Sequence, residues 1–117
     1  MRECIYRGKR KDNGEWTYGY LFCIWERAYI LWGMTNDVPN MIEVDPETIG
    51  QFTGLIDKNG KKVFEGDIVE IDGKHYEVKY MLGQFFVGIN MPIAYKRFDC
   101  EVIGNIHDNP ELLKDSE

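Results

Sequence analysis

Nowhere along this chain do apolar residues hold helical spacing over ten or more positions. An amphipathic helix needs an apolar residue at every third or fourth place for several turns, so a helix bundle is excluded. The sequence has instead short apolar runs separated by Gly, Asn and Asp, the residues that turn a backbone. From Trp16 the pattern is plain, because Trp16, Tyr18, Tyr20 and Phe22 recur at period two. Side chains alternate sides along a strand, so these aromatics share one face. Short strands joined by tight turns predict an all-β domain, as a barrel or a sandwich.

Residues 3–7 read as a first strand, and Asn13-Gly14 marks a hairpin turn. In a second hairpin, Glu26 and Arg27 separate "CIW" from "AYILW", and residues 34–40 read as a polar loop. "MIEV" reads as a short strand, after which Asp45 is placed to cap a helical turn that Pro46 begins. The stretch "GLIDKNGKKVFEGDIVEI", residues 54–71, is the most regular. In it Asp57-Lys58-Asn59-Gly60 is a turn, "KKVF" a strand, "EGD" a sharper turn and "IVEI" a further strand. Val69 and Ile71 share one face of that strand and are the better core candidates; Ile68 and Glu70 share the other. "DGK" then turns the chain into "HYEVKYM". "QFFVGI" and "IAYKRFDCEVIGNI" supply the remaining strands, and Asn109 caps a terminal helical turn. "TIGQF" at 48–52 and "VIGNI" at 102–106 echo one another, which fits either two strands with matching bulges or coincidence. Gly66-Asp67 resembles the "GDxVxV" opening of SH3-like barrels. The expected architecture is therefore one domain over 1–117, a small barrel with an SH3-like portion at 54–89. Short helical turns are expected near 45–48 and 109–114.

With 117 residues, 44% of them hydrophobic, the chain has the material for a single core. No segment approaches the roughly 18 consecutive apolar residues of a membrane span. The basic start "MRECIYRGKRKDNG" lacks the apolar stretch of a secretory signal, so the expectation is a cytoplasmic protein. Cys4, Cys23 and Cys100 are odd in number and far apart, which predicts free, mostly buried thiols rather than a disulfide framework. The formal net charge of −6 disfavours a nucleic-acid binder.

The candidates for chemistry are few. Asp57, Glu65, Asp67 and Glu70 supply carboxylates without the spacing of an acid–base pair, and turn chemistry accounts for them. Asp67 in particular reads as an acceptor for nearby backbone N–H groups. Cys100, His107 and Asp108 are the nearest set to a nucleophile with its base, but nothing in their spacing joins them. His75 is the other histidine, and neither CxxC nor HxxxH occurs, so no metal site and no cofactor is expected. The basic residues Lys9, Arg10 and Lys11, in what reads as a hairpin turn, with Arg7 just before, would touch phosphates beside Trp16 or Tyr18 and are the best argument for nucleic-acid contact, an alternative reading. The aromatic stripe is most simply core. Where it lies outside, Trp16, Tyr18 and Tyr20 form an interaction surface, because aromatic patches typify protein interfaces.

Two blocks, "FTGLIDKNGKKVFEGDIVEI" and "EVIGNIHDNPELL", with "RGKRKDNGEWTYGYL" and "VDPETIGQ" before them, resemble the YopX family of phage and prophage proteins. The resemblance runs from Arg2 to Leu113, is weak over 24–41 and 74–98, and departs mildly where Tyr6 and Phe52 replace Phe and Tyr. It implies a mostly β fold, a phage or prophage source and a place in the bacterial cytoplasm. It assigns no biochemical activity, so no catalytic or binding residue carries over. The resulting expectation is a non-enzymatic phage accessory protein that binds another protein and self-associates through exposed strand edges. A metal- or thiol-dependent enzyme using Cys100, His107 and Asp108 is the remaining alternative.

Overall fold

The computed structural model of the protein describes residues 5–81, 84–87, 91–92 and 100–113. Eleven strands, paired antiparallel, and two 3-10 turns make up the described chain, so the all-β expectation holds. Cys4 and the strand material expected over 93–99 lie outside the described residues. Two compact units are distinguished, Met1–Phe52 and Thr53–Glu117.

The first unit is a meander of β1 (Tyr6–Lys9), β2 (Trp16–Ile24), β3 (Arg27–Thr35) and β4 (Val38–Val44). The start of β5 (Gly50–Ile56) pairs with the other side of β1, Tyr6 facing Gln51 and Arg7 facing Gly50. Its core is the inward face, where buried Ala28, Ile30 and Val44 pack with Tyr6, Leu21, Ile42 and Ile49. The sheet curls around this core until β4 touches the end of β1. There Arg10 bridges Val44, the Lys11 N–H donates to the Glu43 carbonyl at 3.1 Å, and the Asp45 N–H to that of Lys9 at 2.8 Å. Gly8 permits the approach, since a Cβ on it would lie 3.0 Å from the Val44 side chain. Gly19 permits the close approach of β3 to β2, where a Cβ would run into the Leu31 carbonyl. Between β4 and β1 there is one bridge and no ladder, and the strand orders are open at both ends. Among the described residues neither sheet closes, which corrects the barrel expectation to curled, open sheets.

Segment 34–40 is not the loop expected. A bulge between Leu31 and Gly33 is followed by further pairs, Gly33 with Asn40, Met34 with Pro39 and Thr35 with Val38. Asn36 and Asp37, at φ 52° and 65°, form a two-residue turn of the kind whose twist suits a hairpin. Pro39 is tolerated because β4 is an edge strand. The helical turn at Pro46–Thr48 is as predicted, with Asp45 Oδ1 accepting the Glu47 N–H at 3.1 Å and Pro46 at the first position.

The second unit holds the end of β5, β6 (Lys62–Phe64), β7 (Asp67–Ile71), β8 (Lys74–Met81), β9 (Gln84–Val87), β10 (Met91–Pro92) and β11 (Glu101–Asn105). The last five run in the order β10-β9-β8-β7-β11. Buried Val63, Val69, Ile71, Val78 and Cys100 form the core, as the face assigned to Val69 and Ile71 requires. Ile68, on the other face, is also buried. Asp72-Gly73 is the tight turn between β7 and β8. "TIGQF" contributes to β5 and "VIGNI" to β11, which pairs with β7, so the echoed segments are not hydrogen-bonded neighbours. Asn109 precedes the terminal turn at Pro110–Leu113, but its side chain reaches back to accept the Asn105 N–H at 3.3 Å instead of capping forward.

Candidate interaction surface

Antiparallel pairing fixes which side chains share the outer face of the first unit. Lys9 faces Trp16 and Arg7 faces Tyr18; further along, Tyr20 faces Leu31 and Phe22 faces Tyr29, and Leu31 and Tyr29 in turn face Met41 and Glu43. Directly opposed residues lie on one side of a sheet. The expected interaction residues Trp16, Tyr18 and Tyr20 and the basic residues Arg7 and Lys9 are therefore brought onto one face, opposite the core.

That face is open. Tyr18, Tyr20, Phe22, Ile24 and Met41 are all exposed, Tyr20 to 63%. This corrects the simpler reading of the stripe as core, because the core formed on the reverse side of the same strands. Phe22 and Tyr29 are in tilted contact with ring centroids 6.3 Å apart, so the patch packs across strands. Beyond the bulge Trp32, Met34 and Val38 are exposed as well, on a ribbon whose two strands pair only with each other among the described residues. At the other end Trp25 takes φ 54° in the two-residue turn from β2 to β3 and is 92% exposed. A bulky residue at positive φ is a genuine outlier, and such outliers cluster at functional sites. Sequence reasoning missed Trp25, Trp32, Met34 and Val38. One signal was available, since no lysine occurs between Lys11 and Lys58 and interfaces are poor in lysine.

The four basic residues are committed within the fold. The Arg7 guanidinium carbon sits 4.7 Å and the Lys9 Nζ 5.4 Å from the Trp16 ring centroid, a cation–π pair of contacts, and Arg7 is buried. Arg10 Nη2 meets Asp12 Oδ2 at 2.7 Å, a hydrogen bond that raises the Arg10 pKa and lowers that of Asp12. Lys11 Nζ lies 3.2 Å from Glu43 Oε2. Nearby, the Arg27 pKa is raised first by a hydrogen bond to Tyr29 and then by the charge of Glu43.

The carboxylates of the second unit hold backbone. Buried Asp67 accepts the Phe64 N–H at 2.7 Å, the role expected for it. Asp57 is also buried; its Oδ1 accepts the N–H groups of Asn59 (2.9 Å) and Lys61 (2.8 Å), and its Oδ2 that of Val102 (2.9 Å). Burial by itself raises the Asp57 pKa, and these three donors overcome it and hold the carboxyl below its usual range. Cys100 is buried in the core at one end of β11, whereas His107 and Asp108 follow its other end. A strand of that length separates them by about 15 Å, so the thiol and imidazole are not brought together. Cys23 is free and exposed, contrary to the burial expected of it. His75 contacts the Leu112 carbonyl through Nδ1 at 2.7 Å and Glu70 Oε2 through Nε2 at 3.4 Å. Among the described residues no three or more His, Cys, Asp or Glu are grouped to hold a metal ion. Nor, among them, is any helix long and apolar enough to cross a membrane.

Comparison with known proteins bears on the family and the fold. The family model described as YopX protein matches residues 5–114. The chain is similar to the crystal structure of protein EF1440 from Enterococcus faecalis, with 25% identity and a TM-score of 0.62, covering 97% of this chain and 100% of that one. No curated protein matches.

Proposed function

The chain belongs to the YopX family, and from that premise we propose that it is a phage or prophage accessory protein of the bacterial cytoplasm that binds another protein and catalyses nothing itself. The observation that carries this reading is the outer face of β2–β4. Nine of the eleven large hydrophobic side chains exposed among the described residues fall between Tyr18 and Met41, and all but Trp25 in the turn and Val38, which alternates with core-facing Ile42 and Val44, lie on this face. Apolar side chains scattered singly need no explanation, but a contiguous patch of this kind marks an interface. The competing nucleic-acid reading draws on the same face, since aromatics beside cations suit stacked bases. Against it stand the acidic net charge and the carboxylate partners that Arg10 and Lys11 already have.

Affinity purification from phage-carrying cells, with nucleic acid left intact and mass spectrometry as readout, tests the proposal. The wild-type chain is expected to retain a protein that a Tyr18→Glu, Phe22→Glu double variant does not. Repeated recovery of nucleic acid alone, released when Arg7, Lys9, Arg10 and Lys11 are changed together, overturns the proposal. So does repeated recovery of nothing, not even an untagged copy of the chain itself.

A further inference from the structure

We infer that the outer face of β2–β4, with the ribbon at its end, is covered by the same surface of a second copy of this chain. The inference rests on the reading of that face as a protein interface and names its occupant.

Area is the first argument. The seven exposed residues on this face, Tyr18, Tyr20, Phe22, Ile24, Trp32, Met34 and Met41, have 39% to 65% of their surface open. With about 200 Å² for the full area of a large apolar side chain, these fractions amount to roughly 700 Å². A stable interface buries about 800 Å² on each partner, so these side chains alone supply most of one.

Charge is the second. Residues 16–44 carry only Glu26, Arg27, Asp37 and Glu43, although 29% of the whole chain is charged. A surface recognising a partner of opposite sign would carry charge of its own. This one is sparse in charge, with three acids against one base over residues 16–44, so two copies meet there with few charges to strip of water. Such a contact of like with like is isologous and closes on itself as a symmetric pair.

The ribbon is the third. From Gly33 to Asn40 the two strands pair only with each other among the described residues, while Trp32, Met34 and Val38 are exposed. A two-stranded hairpin is marginal alone in water and needs a further strand or packed surface to persist. A second copy supplies that surface, and does so with the edge of β4 alongside, which among the described residues pairs with no further strand beyond the bridge at Val44.

Light scattering of the pure full chain during size exclusion tests this without any other protein present. At micromolar concentration the wild type is expected to give at least twice its 13.7 kDa monomer mass. A Tyr20→Glu, Met34→Glu variant changes two exposed positions only, so its circular dichroism should match the wild type, and its thermal melt should match that of wild type diluted until it no longer associates. Its association should weaken by about thirtyfold or more, the effect of losing an interface hot spot. A wild-type chain that stays monomeric overturns the inference, and so does an oligomer that the variant leaves intact. In the first case, capture of a different protein through the same face leaves the protein-binding reading standing. Should that capture fail too, both fall.

Discussion

Replacing Asp57 tests most sharply how this chain uses its carboxylates. Three backbone N–H groups converge on that side chain, two from its own turn and one from Val102 of β11, at 2.8 to 2.9 Å. Asn59 and Lys61 are exposed, so water can replace part of what their amides lose. Val102 is half-buried and has less recourse. A hydrogen bond to a charged group contributes about 1.5–3 kcal/mol, and an orphaned buried donor costs about 1–3 kcal/mol. Asp57→Ala should therefore destabilise by about 3 kcal/mol. Asp57→Asn keeps one acceptor for the turn but sets an amide against one of the N–H groups, and should cost about 2 kcal/mol, or about 10 °C in melting temperature. Urea unfolding followed by circular dichroism measures both. The pH dependence adds a control. The folded Asp57 pKa is depressed, so its contribution is fully present above the unfolded carboxyl value near 3.9 and is lost as pH falls through the folded value. The gap between wild type and Asp57→Asn should be full at neutral pH and shrink in acid below about pH 4. Equal stabilities at pH 7, or a gap indifferent to acid, refute the reasoning.

Two further outcomes follow from backbone geometry. Trp25 holds φ 54° with almost no contact to repay it, so Trp25→Asn should raise stability by about 0.5–1 kcal/mol, and an unchanged or lower unfolding midpoint contradicts that. Gly19→Ala drives a methyl into the Leu31 carbonyl and should cost about 3 kcal/mol, whereas Gly33→Ala, with only Asn40 Nδ2 at 3.9 Å, should cost under about 1 kcal/mol. Thermal melts rank the pair, and the reverse order refutes the packing described.

Much of this fold was legible because its punctuation is local. Asp45 with Pro46, Asp57 through Gly60 and Asp72-Gly73 turn the chain by interactions within a few residues, and all three turns stand where the sequence places them. The side on which the core forms is another matter. Alternation groups Trp16, Tyr18, Tyr20 and Phe22 on one face, but the reverse face of β2 offers only Thr17, Gly19, Leu21 and Cys23. That poorer face turns inward because Ala28, Ile30 and Val44, delivered by β3 and β4, complete it. Such a choice depends on register between strands and not on any one of them. Segment 34–40 misled for a related reason. Its Asn, Asp and Pro are loop residues, yet two of them make the turn and the third sits on an edge strand. The separation of Cys100 from His107 needed only the recognition that an extended strand lies between.

Side-chain footprinting by hydroxyl radicals asks most directly whether the outer face of β2–β4 is the working surface. Trp32, Tyr18 and Met41 are read in the protein isolated from phage-carrying cells and in the Tyr20→Glu, Met34→Glu variant. Strong protection in the native protein, abolished in the variant while buried Ile30 and Val69 stay unmodified in both, is the predicted result. Equal modification of Trp32, Tyr18 and Met41 in the two samples would mean that nothing covers this face, and the account would be contradicted.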